Sequence, residues 1–175
     1  MKKTILLFFI LITGVNYHAS AQQFKTALDY HNYVAREQEN VVNAVIYFTN
    51  HFNSKDSVLL DNYSKTKDIL KKSWEHIQKM PSYEGDSELL NAAIPLFEMY
   101  YSTMNIEYHE MVDLFIKKDF SKKTQDRVNS LLNSINEKEK KLDYHMVQAQ
   151  TNFAKKYHLD IQKNPIQQKV NELKK

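Results

Sequence analysis

Hydrophobic residues recur along this chain every three or four positions, in runs long enough to be helices rather than strands. The first run extends from about Phe24 to Phe52, with Tyr30, Val34, Val41, Val45, Phe48 and Phe52 on one face. Asn53-Ser54-Lys55-Asp56 interrupts it and offers capping oxygens to the next segment. The second covers about Ser57 to Met80, with Leu60, Tyr63, Leu70, Trp74 and Ile77 in register. Pro81-Ser82-Tyr83-Glu84-Gly85-Asp86 follows, a turn marked by its proline, its glycine and a capping aspartate.

A third segment spans about Ser87 to Lys118, striped by Leu89, Ala93, Leu96, Tyr100, Met104, Met111 and Phe115. Pro95 lies inside it, removes one backbone donor and is expected to kink the helix or divide off its first turns. Asp119-Phe120-Ser121 turns the chain, with Ser121 as the expected cap of a fourth segment, about Lys122 to His158. Val128, Leu131, Ile135, Leu142, Met146, Ala149, Phe153 and Tyr157 form that stripe. No strand pattern competes.

These segments predict an all-α fold: an antiparallel up-down-up-down four-helix bundle over residues 22–160, its third helix kinked near Pro95. At ~1.5 Å rise per residue such a bundle is a rod about 35–55 Å long. Residues 161–175, interrupted by Asn164-Pro165, read as a short polar C-terminal tail or a short docked helix.

The beginning of the chain follows a different pattern. Lys2 and Lys3 precede an apolar run, Ile5 to Ile12, too short to anchor in a bilayer, and Ala19-Ser20-Ala21 supplies small residues for cleavage before Gln22. Residues 1–21 therefore read as a bacterial secretory signal peptide. The mature protein is expected in the periplasm or outside the cell, without a transmembrane anchor. With no cysteine in the sequence it is not expected to be a lipoprotein.

Cleavage takes two of the 24 Lys and Arg residues and none of the 21 Asp and Glu, leaving a near-neutral chain. Only Arg36 and Arg127 are arginines, and lysines interleave with acids, so a nucleic-acid surface is disfavoured. The absence of cysteine excludes thiol catalysis, cysteine metal sites and disulfides, and stability must come from packing. Gly85 is the one glycine left after cleavage, so no glycine-rich phosphate loop exists.

Helical bundles often hold metals between their helices, but no glutamate here has a histidine three residues later, as a di-iron site requires. No His-Glu-x-x-His zinc motif occurs either. Asp29-Tyr30-His31 and Asp143-Tyr144-His145 place acid and imidazole about 200° apart on a helix, poorly arranged for one ion. Five of the seven histidines follow a tyrosine: His18, His31, His109, His145 and His158. The expected arrangement is tyrosine at the core edge and histidine at the surface, with His31 and His158 near one end and His109 and His51 near the other.

Glu37, Glu107 and Glu139 fall on or near apolar stripes, and Glu37 counts out level with His145, Glu107 with Glu139. Glu37, Glu107 and His145 are thus the candidates for a polar core. No strained nucleophile turn or oxyanion loop is recognisable, so no catalytic residue, metal ligand or cofactor is assigned.

Lys79-Met80-Pro81-Ser82-Tyr83-Glu84-Gly85-Asp86, the following Leu89-Leu90-Asn91-Ala92-Ala93-Ile94 and Leu96-Phe97-Glu98-Met99-Tyr100, Glu107-Tyr108, and Phe153-Ala154-Lys155-Lys156-Tyr157 carry a resemblance. Together they resemble a family of exported bacterial surface proteins with an all-helical domain and no assigned reaction. The resemblance implies export and helical architecture. Many relatives are lipoproteins, and this chain departs from them in lacking the cysteine.

The sequence thus reads as a non-enzymatic, envelope-associated binding or scaffolding module whose partner is a protein or other envelope component. Contacts are expected at the aromatic surface near Tyr83 and at the Pro95 kink, with self-association left open. The alternative is a periplasmic small-ligand or metal carrier with its site inside the bundle.

Overall fold

The computed structural model describes residues 24–160. The expected signal peptide and the segment 161–175 lie outside the described residues. Between them the chain forms helices α1 (Ala27–Asn50), α2 (Asp56–Gln78), α3 (Glu88–Asn105), α4 (Glu107–Ile116) and α5 (Lys122–Lys156). No strand occurs among the described residues, and an isolated bridge joins Tyr83 to Asp86. Helix α2 packs on α1 and α3, while α3 and α4 both pack on α5. The described residues form an all-α bundle of four arms, one of them in two pieces.

The caps show why the helices begin where they do. Thr26 Oγ1 accepts from the Asp29 amide at 3.0 Å, and Ser121 Oγ from the Thr124 amide at 3.3 Å, each satisfying a free donor in a first turn. Asp86 Oδ1 accepts from the Glu88 amide at 3.0 Å ahead of α3. The cap expected from Asn53 to Asp56 does not form: Lys55 occupies that position and its side chain bonds nothing there.

The turn before α3 is tight. Tyr83 and Asp86 exchange both backbone hydrogen bonds, at 3.0 and 2.7 Å, around Glu84 and Gly85 with φ of 49° and 81°. Two successive positive φ values match a type I′ turn, which glycine adopts freely at its second position.

The core holds much of the stripes read from the sequence, with one change of register on α2 and a thinner first half of the α5 stripe, where of Val128, Leu131, Ile135 and Leu142 only Leu131 is buried. Tyr30, Val34, Val41 and Phe48 of α1 are buried with Leu70 and Ile77 of α2, Leu89, Ala93, Leu96 and Met104 of α3, and Met146, Ala149 and Phe153 of α5. On α2, however, Leu60 is 47% exposed and Leu59 fully buried. The buried stripe runs Leu59, Asn62, Thr66, Leu70, Ser73 and Ile77, so small polar residues occupy positions the apolar period skipped.

Helix α3 continues through Pro95, and the boundary dividing this arm falls at Ile106. There the Asn105 side-chain amide donates to the Tyr101 carbonyl at 2.7 Å, and the Ile106 amide is shared between Ser102 and Thr103 carbonyls at 3.0 and 3.4 Å. A side chain competing for a helical carbonyl loosens the ladder without proline or glycine. No described helix is long and apolar enough to cross a membrane.

Candidate functional site

The polar residues on the α2 stripe meet α1 in an open groove of about 650 Å³. Helix α1 contributes Glu37, Ala44 and Tyr47; α2 contributes Asn62, Thr66 and Ser73. Helical spacing accounts for the alignment: residues three, four or seven apart share a face, and both sets follow that rule.

Glu37 is 6% exposed, and its carboxylate is bridged on both sides. Ser73 Oγ donates to Oε2 at 2.7 Å, and His76 Nδ1 donates to Oε1 at 3.1 Å. A buried carboxylate left without such donors would be strongly destabilising. His76 itself is half exposed at the rim. Thr66, fully inside, reaches the Ala44 carbonyl at 3.5 Å. Asn62, 5% exposed, has no partner for Nδ2 among the described residues. An unmade hydrogen bond at a buried amide costs about 1–3 kcal/mol, and such a group in a native fold calls for an explanation.

Serine, histidine and carboxylate are therefore adjacent, but not in a nucleophile's order. In a catalytic relay serine donates to histidine and histidine to the acid. Here both donate to Glu37, and Ser73 is buried beneath the groove, so its oxygen cannot reach a substrate.

The sequence candidates separate. Glu37, a candidate from its place on the apolar stripe, is buried, and its partners come from α2 rather than from His145. His145 is exposed on α5 and takes no part in a polar core, because its ring points off the Met146 and Ala149 stripe. Glu107, 4% exposed at the start of α4, accepts at Oε1 from Ser134 Oγ at 3.2 Å and from Lys138 Nζ. Its Oε2 is buried without a partner among the described residues. Glu37 and Glu107 thus occupy separate sites, one between α1 and α2, the other between α4 and α5.

Two buried tyrosines lie within reach of acidic residues of α5. Burial pushes Tyr108 up to about 12, with the Glu139 charge adding to it. Burial also holds the Tyr100 hydroxyl well above its ordinary value, with Asp143 and Glu139 adding negative charge. These phenols stay protonated at neutral pH, and the Tyr100 hydroxyl hydrogen-bonds Asp143.

The tyrosine–histidine pairs do not behave uniformly. Tyr108–His109 and Tyr157–His158 follow the expected arrangement, histidine outward. His31 instead is buried, near-parallel to Phe153 with centroids 6.5 Å apart, and burial lowers its pKa. Tyr144, expected at the core edge, is exposed. Tyr83 completes the core: its ring lies 5.4 Å from Tyr30, 5.9 Å from Phe153 and 5.2 Å from Tyr157.

No group of three or more His, Asp or Glu side chains among the described residues could hold a metal ion. The site is a groove with a hydrogen-bonded carboxylate in its floor, an amide nitrogen unpartnered among the described residues, and Tyr47 at its rim. The chain matches no protein-family model, and no curated protein or solved structure is significantly similar to it.

Sequence reasoning missed Asn62, Thr66 and Ser73. Their signal was present as polar residues spaced four and seven apart on one face of α2, but Leu60 in place of Leu59 rotated the assigned stripe away from them.

Proposed function

We propose that this chain is an exported, non-enzymatic binding module of the bacterial envelope, presenting the α1/α2 groove to an envelope component. In this reading residues 1–21 direct export and the mature chain begins at Gln22. The four arms run up-down-up-down with a bend at Pro95, and the chain belongs with the exported surface proteins it resembles. No lipid anchor holds it, and self-association is open to it.

The observation that carries the reading is the groove floor: a buried carboxylate with a donor on each oxygen, beside a buried amide whose nitrogen has no partner among the described residues. Such a surface recognises; it does not activate a nucleophile. The test is native mass spectrometry on protein from its own host's envelope fraction, with amino-terminal sequencing. Gln22 at the amino terminus and a reproducible added mass, lost on denaturation and absent from Glu37→Ala, support the module. Retention of residues 1–21 overturns export, and an added mass indifferent to the groove overturns its role.

A carrier with an interior site is the second reading, favoured by one observation: the unpartnered Oε2 of buried Glu107. An added mass lost in Glu107→Gln but kept in Glu37→Ala would select it.

A further inference from the structure

We propose that the loop between α4 and α5, residues 117–123, seats on the surface of an anionic phospholipid bilayer, with Phe120 entering the headgroup region among four lysines. The inference goes beyond the binding-module reading and uses a different surface: no residue of 117–123 lines the α1/α2 groove.

The loop reads Lys117-Lys118-Asp119-Phe120-Ser121-Lys122-Lys123, and all seven residues are exposed. Phe120, at 66%, is the most exposed large hydrophobic side chain among the described residues. Its turn is fixed by hydrogen bonds. Asp119 accepts from the Ser121 amide at 2.9 Å and from Thr124 Oγ1 at 2.7 Å, and the Phe120 carbonyl accepts from Gln125 Nε2 at 2.9 Å. The apolar surface also continues past the ring. Phe120 edges a groove of about 380 Å³ with Phe52, Met111, Phe115 and Val128 in its walls and Gln125 and Asn129 in its polar lining.

The loop between α1 and α2 lies alongside, because Phe52 and Phe115 pack with ring centroids 5.4 Å apart. Residues 51–56 and 117–123 together hold five lysines and two aspartates. Asp113 and Asp126, on the adjoining turns of α4 and α5, reduce that excess without cancelling it. Lys118 with Asp56 at 3.8 Å and Lys122 with Asp126 at 4.0 Å are loose, exposed pairs that hold the lysines weakly. The turn at the other end of α1 is the opposite in both respects: residues 81–86 carry two acids and no lysine, and Tyr83 packs onto Tyr30 and Phe153.

This pairing of charge with an exposed ring selects the partner. Bidentate reading of a single phosphate or of nucleic acid uses arginine, and the nearby Arg127 is already held by Glu110 at 2.6 and 2.7 Å. Lysine ammoniums instead respond to the diffuse field of an anionic surface. A soluble polyanion would satisfy them and leave Phe120 in water. A bilayer offers phosphates to the lysines and an interface to the ring, at any lateral position and without a preformed pocket.

Co-sedimentation of the chain beginning at Gln22 with phosphatidylglycerol–phosphatidylcholine vesicles tests the proposal, with pure phosphatidylcholine as the control. Binding is expected to the anionic vesicles alone and to weaken as salt is raised. Replacing Lys117, Lys118, Lys122 and Lys123 together by glutamine is expected to weaken it at least about tenfold. Phe120→Ser is expected to weaken it several-fold, and both variants are expected to keep the parent Tm. In Phe120→Trp the fluorescence is expected to move to shorter wavelength when anionic vesicles are added. Glu37→Ala is expected to leave vesicle binding unchanged, which separates this surface from the groove. Equal binding to neutral vesicles, or binding that survives the lysine variant, overturns the assignment. So does binding indifferent to Phe120→Ser with no fluorescence shift, or equal binding to dextran sulfate, since either leaves a purely ionic contact.

Discussion

At Glu37 a carboxylate is kept out of water because both oxygens accept hydrogen bonds from one neighbouring helix. Truncation to alanine leaves the buried Ser73 hydroxyl without its acceptor, so Glu37→Ala is expected to destabilise by about 1–3 kcal/mol in urea unfolding. His145→Ala, on an exposed surface, is expected within about 0.5 kcal/mol of the parent in the same experiment. His31 makes a pH-dependent contribution. Burial lowers its folded-state pKa, so below the unfolded value of about 6.5 the unfolded chain takes up a proton that the native chain does not. Stability from this residue is complete above that pH and falls as pH drops toward the folded-state value. Thermal melts between about pH 7.5 and 5 are expected to show a shallower decline for His31→Leu than for the parent.

Elements are set by register and by turns, and both can be checked. Because Leu59 is fully buried and Leu60 exposed, Leu59→Ala is expected to cost about 2–5 kcal/mol and Leu60→Ala less than about 0.5 kcal/mol. Equal costs would restore the register first read from the sequence. In the turn before α3, Glu84 adopts φ 49° without the side chain that favours it. Asparagine tolerates this region and is preferred ahead of glycine in type I′ turns. Glu84→Asn is therefore expected to raise stability by about 0.5 kcal/mol, read as a higher urea midpoint at unchanged slope. Why α2 was misread is physical: Val58, Leu59 and Leu60 are consecutive apolar residues, and periodicity alone cannot choose which one faces inward.

Across the whole molecule burial is uneven. Between Lys122 and His145 only Leu131 of α5 is fully inside, whereas α3 is buried along much of its length. Amides in the first half of α5 are expected to exchange with solvent faster than those of α1 and α3, by hydrogen exchange followed with mass spectrometry. The surface bidentate pair of Arg127 with Glu110, at 2.6 and 2.7 Å, ties that half to α4 but is too exposed to change the order.

The helical class, the stripes of α1, α3 and the second half of α5, the turn at Pro81 to Asp86 and the place of Glu37 and Glu107 on or near apolar stripes were legible in the sequence alone. Each depends on local periodicity or turn chemistry within one segment. Which helix supplies the partners of Glu37, the exposure of His145, the burial of His31 and the boundary at Ile106 required the tertiary structure. Helix rotation about its own axis is set by packing against neighbours, and one stripe several residues wide tolerates more than one rotation. The groove belongs to this second group: its residues are ordinary on either helix, and become a site only where α1 and α2 face each other.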